Sequence, residues 1–181
     1  MVYVYLAEGF EETEAIAPID LLRRAGVKVV TVGVGDNIAV GSHGIPVVTD
    51  TIAQEAVLSD ELEAIVLPGG MPGTLNLEKS EYVQAAIDHC MAEGKLIGAI
   101  CAAPSILGHK GILKGRRAVC YTGFETQLEG AEIGSGSVES DGNIVTARGA
   151  GVAVDFGLKL VERLVSPEES QRQRAAILCG K

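Results

Sequence analysis

The chain has 181 residues, of which 47% are apolar and 22% are charged. These proportions are close to the globular average and exclude a disordered chain. The formal net charge is −9, which disfavours nucleic acid and anionic membrane surfaces as partners.

Short apolar runs alternate with helical segments along the chain. The runs are apolar on both faces, as in a parallel sheet that helices cover on both sides. The predicted fold is a doubly wound α/β sandwich, one domain spanning residues 1–181. Strands are predicted at Val2–Leu6, Lys28–Val32, Ala64–Leu67, Leu96–Ile100 and Asn143–Ala147, and helices at Glu11–Ala25, Glu81–Glu93, Ala102–His109, Val152–Leu164 and from Pro167 to about Leu178.

Three segments depart from this alternation. Ile38–Asp50 is predicted to form a small hairpin with Gly-Ser-His-Gly at its turn. Pro18 is expected to kink the first helix or to restart it. Ala118–Tyr121 is predicted to be a short strand that leads into a turn.

The N-terminus and the cysteines indicate the cellular setting. The N-terminus lacks a basic leader and turns acidic at Glu8, so it is interpreted as a strand rather than a signal peptide. The four cysteines form no Cys-x-x-Cys pair, which predicts neither a zinc site nor a disulfide framework. We therefore expect a cytoplasmic protein with reduced thiols and with no metal or cofactor.

Cys101 stands where a buried strand runs directly into a helix, with small residues around it. This arrangement is typical of a nucleophile elbow, in which a strained turn exposes the reactive side chain. Unpaired N–H groups and the positive end of the helix dipole are expected to lower the thiol pKa from about 8.5. The alternative is an inert, buried core cysteine.

A glycine-rich loop follows another predicted strand and contains Gly69 and Gly70. In a parallel sheet this loop lies at the same edge as Cys101, where ligands bind. The N–H groups of Gly70 and Ala102 could then form an oxyanion hole, although the loop could also be a simple turn. No Gly-Lys-Ser/Thr follows, which disfavours a phosphate cradle.

Acidic residues follow the first strand, with Glu11 and Glu14 on one helix face. They could be ordinary partners of the helix dipole. In the functional alternative, one carboxyl turns inward with a raised pKa and shares a proton with Cys101. None of the three histidines is placed by the sequence as a base for Cys101, and His43 in the hairpin turn could reach a pocket.

Taken together, these segments resemble the ThiJ/PfpI superfamily, in the branch of the Parkinson-disease protein deglycase. The resemblance runs from Val2 to about Leu178. The motifs that carry it are Glu11-Glu-Thr-Glu14, Leu22-Arg-Arg-Ala-Gly26, Val66-Leu-Pro-Gly-Gly70, Ala99-Ile-Cys-Ala-Ala-Pro104 and Ala147-Arg-Gly-Ala-Gly151 followed by Asp155-Phe156.

The resemblance implies a flavodoxin-like sandwich that forms homodimers and needs no cofactor. It makes Cys101 the oxidation-sensitive nucleophile and Glu14 the protonated carboxyl that is hydrogen-bonded to it. It also makes Gly70 and Ala102 the backbone anion site. The chain departs from the family at three pocket positions. Tyr121 stands where the family has a histidine, Ala150 where it has a proline, and His43 where it often has an arginine.

The favoured function is a cysteine-dependent glyoxalase or deglycase that acts on reactive dicarbonyls, or on their early adducts, through Cys101 and Glu14. The first alternative is an oxidative-stress sensor, or a protective chaperone-like protein, that uses oxidation of Cys101 without turnover. The second is a small hydrolase or amidotransferase-like domain. The absence of a histidine after Cys101 disfavours a peptidase.

Overall fold

A seven-stranded sheet forms the centre of the structure, a computed structural model that describes residues 1–180. Its strands are β1 (Val2–Ala7), β2 (Val29–Val34), β5 (Thr51–Ile52), β6 (Ala64–Leu67), β7 (Leu96–Ile100), β10 (Val138–Asp141) and β11 (Ile144–Ala147). In space their order is β10-β11-β7-β6-β1-β2-β5. Every neighbouring pair is parallel except β10 with β11.

Six helices cover the two faces of this sheet. They are α1 (Glu12–Arg24), α2 (Gly73–Lys79), α3 (Glu81–Ala92), α4 (Pro104–His109), α5 (Ala153–Leu164) and α6 (Pro167–Ala176). The first, fifth and sixth helices pack together on one face, and the other three supply side chains to the core on the opposite face. The arrangement confirms the predicted α/β sandwich and its flavodoxin-like order of layers.

Strand β1 shows why both faces must be covered. Alternate side chains of a strand point to opposite faces, and Tyr3 and Tyr5 lie in the core with α2–α4. Val4 and Leu6 lie in the core with α1 and α5. All four residues are buried, so neither face of the strand tolerates water.

Helix α1 begins at a side-chain cap and runs without interruption through Pro18. The Glu11 carboxylate accepts a hydrogen bond from the Glu14 N–H, with 2.6 Å between the atoms, which satisfies one of the free amides of the first turn. The predicted alternative of a restart at Pro18 is wrong. Close packing against α5 supports the helix there, since a Cβ on Gly157 would lie 3.0 Å from the Cα of Pro18.

Several local predictions need correction. Helix α2 was not predicted, and α4 begins at Pro104 rather than Ala102 because residues 101–103 form a turn. The hairpin is confirmed as β3 (Ile38–Val40) paired with β4 (Pro46–Val48). The strand predicted at Ala118–Tyr121 is instead β8 (Arg117–Ala118), which pairs with β9 (Glu132–Ile133). Within residues 1–180, no helix combines the length and apolar character that crossing a membrane requires.

Candidate active site

The site forms where four neighbouring parallel strands end. β11, β7, β6 and β1 lie side by side in that order, so their carboxyl ends share one edge of the sheet. The segments that follow these strands are residues 148–152, 101–103, 68–72 and 8–11. Open α/β sheets bind ligands at this edge.

Cys101 adopts the strained backbone of a nucleophile elbow. Its φ is 65°, in the left-handed region that residues other than glycine rarely occupy. Two main-chain hydrogen bonds hold this turn: the Cys101 N–H donates to the Ala147 oxygen over 2.9 Å, and the Cys101 carbonyl accepts from the Tyr121 N–H over 2.8 Å. The predicted elbow is confirmed, and its side chain is half-buried.

Glu14 turns inward to Cys101. The residue is only 1% exposed, and its carboxylate accepts a hydrogen bond from the Gly69 N–H over 2.9 Å. The Ala150 N–H also donates to it, and its side chain shares a hydrogen bond with that of Cys101. The Glu14 carboxylate on α1 therefore forms hydrogen bonds with the segments that follow β6, β7 and β11.

Backbone N–H groups of Gly70 and Ala102 donate hydrogen bonds to the Cys101 sulfur. The two adjacent glycines allow this close approach. A Cβ on Gly69 would lie 2.6 Å from both the Cys101 Cβ and Glu14 Oε2, and a Cβ on Gly70 would lie 2.4 Å from the Glu11 nitrogen. The structure thus brings together Cys101, Glu14, Gly69, Gly70 and Ala102.

The electrostatics of the pair differ from the sequence-based expectation. The pKa of the Cys101 thiol is raised to about 12, chiefly by burial and also by the Glu14 charge and hydrogen bond, which together outweigh the lowering effect of the Ala102 and Gly70 amides. The Ala102 amide lowers this pKa in the predicted direction, but the predicted net lowering from about 8.5 is wrong, because burial and Glu14 outweigh the amides. Burial also raises the pKa of Glu14 to about 7, against the lowering effect of its hydrogen bond with Cys101.

Because the two groups are hydrogen-bonded, they titrate as a pair. Above the raised pKa of Glu14 and below that of Cys101, the pair carries a single proton. That proton sits on sulfur beside a carboxylate, or on the carboxyl beside a thiolate. In the second arrangement Glu14 is neutral, so the charge repulsion that raises the thiol pKa is absent.

Tyr121 and Ala150 line an open cavity of about 340 Å³ beside the pair. The Tyr121 side chain is exposed, and Gly149 lies between its ring and Glu14. A Cβ on Gly149 would stand 3.4 Å from the Tyr121 ring and 3.7 Å from Glu14 Oε1. The other lining residues are Thr122, Arg148, Gly151 and Val152, and no histidine is among them.

His43 is held by Glu12 rather than by the pair. Its Nδ1 lies 2.9 Å from Glu12 Oε2, and its N–H donates to Glu12 Oε1 over 2.8 Å. The Glu12 contact raises the pKa of the imidazole. Of the other histidines, His109 forms a hydrogen bond with Glu78, with 2.5 Å between His109 Nδ1 and Glu78 Oε1. His89 lies on α3, and its buried Nε2 has no hydrogen-bond partner within residues 1–180.

Sequence reasoning missed two contributors to this region. Gly149, which separates Tyr121 from Glu14, lies just after β11, one of the four strands that end at the site. Its position after a predicted strand is the sequence signal that could have identified it. The buried Glu12, which holds the hairpin turn, has no comparable signal. It stands among four glutamates in seven residues, and only the tertiary fold separates their roles.

A cysteine elbow, an inward carboxyl and two backbone donors at the edge of a parallel sheet define the class of flavodoxin-like α/β proteins to be compared with this chain. Residues 1–163 match the DJ-1/PfpI family. The chain belongs to this family.

Individual relatives extend the match to nearly the whole chain. Drosophila melanogaster protein dj-1beta is 36% identical over 97% of this chain and 95% of its own. The Caenorhabditis elegans glutathione-independent glyoxalase DJR-1.2 is 33% identical over 90% of this chain and 87% of its own. The oxidized DJ-1 structure of Toxoplasma gondii superimposes with a TM-score of 0.94 at 38% identity, covering 99% of this chain and 98% of that one.

The raised pKa of Glu14 gives a testable dependence of stability on pH. The folded state holds this proton more tightly than the unfolded chain does, so the resulting stability is present below pH 4.5 and is lost as the pH rises through about 7. Relative to Glu14→Gln, the free energy of unfolding should fall by about 3 kcal/mol over that range. Urea unfolding of both proteins at each pH measures the difference, and parallel curves would contradict the assignment.

Proposed function

We propose that this protein is a cysteine-dependent, cofactor-independent enzyme that converts reactive dicarbonyls such as methylglyoxal to hydroxy acids, or removes their early adducts from amines and thiols. The observation that carries the proposal is the buried hydrogen bond between Glu14 and Cys101, with backbone donors on the sulfur. The printed activity of the nematode relative, a glutathione-independent glyoxalase, supports the same chemistry.

The reaction begins with addition of sulfur to the aldehyde. The Cys101 proton passes to Glu14 as a C–S bond forms, and Glu14 then gives that proton to the aldehyde oxygen, which yields a hemithioacetal and restores the Glu14 carboxylate. The Gly70 and Ala102 N–H groups stabilise the negative charge that develops on that oxygen. No metal or external thiol is needed, because the chain itself supplies the nucleophile and the proton acceptor.

Rearrangement then moves one proton between neighbouring carbons. The Glu14 carboxylate removes the proton from the former aldehyde carbon to give an enediolate, the hydroxyl proton passes from the first oxygen to the second, and Glu14 returns its proton to the adjacent carbon. The product is a hydroxyacyl thioester on Cys101. Addition of water releases the hydroxy acid and restores the thiol, so the net change from methylglyoxal to lactate is the uptake of one water.

The cavity beside Tyr121 is the proposed entrance for this small substrate. It is open to solvent and adjoins Glu14 through Gly149. Tyr121 can donate a hydrogen bond to a substrate oxygen but is a poor base at neutral pH. Proton transfer is therefore assigned to Glu14 alone. We also propose a cytoplasmic setting, consistent with four free cysteines.

Turnover of methylglyoxal tests the mechanism. The native protein should produce lactate above the rate without enzyme, and kcat/KM should rise as the pH passes through about 7, where Glu14 loses its proton. Cys101→Ser and Glu14→Gln should each lower kcat/KM by at least about 100-fold. Cys179→Ser is the matched control, since it removes another half-buried thiol outside the site. Lactate formation that survives Cys101→Ser would contradict the mechanism.

A redox role is the second candidate, favoured by the donors already directed at the sulfur. Gly70 and Ala102 N–H groups and a protonated Glu14 suit a sulfinate as well as a thiolate. The Toxoplasma relative is described in an oxidized state. In this role two molecules of peroxide oxidise the thiol to sulfinic acid and are reduced to water.

Titration with hydrogen peroxide followed by mass spectrometry separates the two roles. We expect Cys101 to be oxidised before the buried Cys90 and Cys120 and before Cys179. Glu14→Gln should slow that oxidation, because glutamine cannot accept the thiol proton. Selective oxidation with no dicarbonyl turnover would favour a sensor. Oxidation of Cys179 at the same rate as Cys101 would contradict this role.

We further propose that the protein forms a homodimer, as the family resemblance implies. Support comes from exposed apolar side chains on α1 (Ile16) and on the hairpin (Ile38, Ile45 and Val48). Glu12 of α1 binds the hairpin turn, so the two elements form a continuous structure. Exposed apolar groups of this kind mark association surfaces.

Sedimentation equilibrium tests the dimer. The native chain should sediment as a dimer at micromolar concentration, and Val48→Asp should dissociate it because a charge would be buried in the interface. Val57→Asp places the same charge at an equally exposed valine outside this surface and should leave the mass unchanged. A native chain that is monomeric at all concentrations would overturn the proposal.

A further inference from the structure

Arg148 contributes a positive charge to the wall of the cavity beside Tyr121. It directly follows β11 and lines the cavity of about 340 Å³ that adjoins Glu14 through Gly149. Of the seven residues that line this cavity, it is the one with a side chain that is ionised at neutral pH. None of the seven belongs to α1 or to the β3–β4 hairpin, the elements assigned to the proposed dimer surface.

We propose that Arg148 makes the Cys101 site selective for electrophiles that carry a carboxylate, which in the proposed reaction are dicarbonyl acids. The inference rests on the proposed function, since it names the class of substrate that the Cys101 thiol attacks. The substrate carboxylate accepts hydrogen bonds from the guanidinium while the aldehyde lies against the sulfur. Tyr121 and Thr122 add hydroxyl groups to the same wall.

Hydrogen bonds to main-chain carbonyls hold the guanidinium in place. Arg148 Nε donates to the Gly136 oxygen over 2.9 Å, and Nη2 donates to the Gly134 oxygen over 3.3 Å. The main-chain N–H of Arg148 donates to the Ser137 oxygen over 3.1 Å. Within residues 1–180, the guanidinium forms no ion pair and Nη1 makes no hydrogen bond. The group is therefore oriented and still has a charge and donors for a ligand.

The charge of Arg148 also acts on the interior of the site. Burial and the Glu125 charge raise the pKa of the Cys120 thiol to about 11, and the charge of Arg148 opposes them. Cys120 is 5% exposed and directly precedes Tyr121, whose N–H donates to the carbonyl of Cys101. The guanidinium therefore lies near the buried segment that supports the reacting cysteine.

The charge of the reacting pair makes such a cation necessary for an anionic substrate. Above the raised pKa of Glu14, Glu14 and Cys101 share one proton, so the pair carries one negative charge. A second negative charge brought into the site is repelled. Arg148 offsets that repulsion, whereas a neutral dicarbonyl gains no comparable attraction from it.

The cavity also has room for a molecule longer than methylglyoxal. At roughly 30 Å³ for each water-sized group, methylglyoxal fills about half of the 340 Å³. 4,5-Dioxopentanoate has the same pair of carbonyls and carries a carboxylate two methylene groups beyond the ketone. Addition of Cys101, the proton shift through Glu14 and hydrolysis convert it, with one water, to the 2-hydroxypentanedioate ion and one proton.

Turnover of a matched acid and ester tests the selectivity. The methyl ester of 4,5-dioxopentanoate keeps the dicarbonyl and lacks the charge. The native protein should favour the acid in kcat/KM by about ten-fold, as expected for hydrogen bonds to a charged group. Arg148→Gln should abolish this preference, and Arg148→Lys, which keeps the charge without the planar fork, should restore part of it. Equal turnover of acid and ester by the native protein would overturn the inference.

Arg163→Gln is the matched control for the loss of charge. Arg163 is another exposed arginine, its Nη2 donates to the Gly142 oxygen over 2.7 Å, and it does not line the cavity. Its replacement should leave the preference for the acid unchanged. Because each variant is judged by a ratio of two substrates, a general loss of activity through a disturbed turn does not imitate the expected result.

Alkylation of Cys101 distinguishes a failure of this inference from a failure of the proposed function. Iodoacetate is anionic and iodoacetamide is its neutral counterpart, and both alkylate a thiol by displacement of iodide, without enzymatic turnover. Peptide mass spectrometry gives the two rates at Cys101. Arg148→Gln should lower the ratio of the iodoacetate rate to the iodoacetamide rate by about ten-fold, and Arg163→Gln should leave it unchanged.

The ratio of the two alkylation rates decides the inference whatever the enzyme assay shows. An unchanged ratio in Arg148→Gln, or an equal fall in Arg163→Gln, would overturn the role of Arg148. A fall confined to Arg148→Gln, in a protein that turns over no dicarbonyl, would support the selectivity of the site and contradict the proposed enzymatic reaction.

Discussion

The buried hydrogen bond between Glu14 and Cys101 constrains the rest of the site. A carboxyl that is 1% exposed is costly to ionise, and a thiolate next to an ionised carboxylate is costly as well. One shared proton relieves both costs. The chain can keep the two groups together only by supplying fixed donors, and it draws them from the backbone at Gly69, Gly70, Ala102 and Ala150.

This dependence on the backbone explains the small residues around the pair. A Cβ on Gly69 would overlap both reacting side chains, and a Cβ on Gly70 would strike the segment that precedes α1. The elbow at Cys101 is strained, but the hydrogen bond that its N–H donates to β11 and the one that its carbonyl accepts from Tyr121 hold it in place. Side-chain donors could shift between rotamers, whereas these amides are fixed by the ends of four strands.

Much of the fold could be predicted from local patterns, because buried parallel strands are continuous apolar runs and β7 leads directly into Cys101. The inward turn of Glu14 needed the family resemblance, since acidic residues in a first turn are ordinarily exposed dipole partners. The direction of the Cys101 pKa could not be predicted. The helix effect is local and visible in sequence, but burial and the Glu14 charge arise only in the tertiary structure. The contact of His43 with Glu12 is likewise set by the docking of the hairpin on α1.

Two main-chain hydrogen bonds, from Tyr121 to Cys101 and from Ala150 to Glu14, connect the reacting pair to residues that line the cavity. Tyr121 is bonded to Cys101 through its main chain, while its side chain lines the cavity. Ala150 likewise donates its amide to Glu14 and presents its side chain to the same cavity. A histidine at position 121 would change the wall of the cavity and keep the main-chain hydrogen bond to Cys101. A proline at position 150 would instead remove the amide that donates to Glu14, because proline has no N–H. The wall of the cavity can therefore vary freely at position 121, whereas position 150 is tied to the proton that Glu14 and Cys101 share.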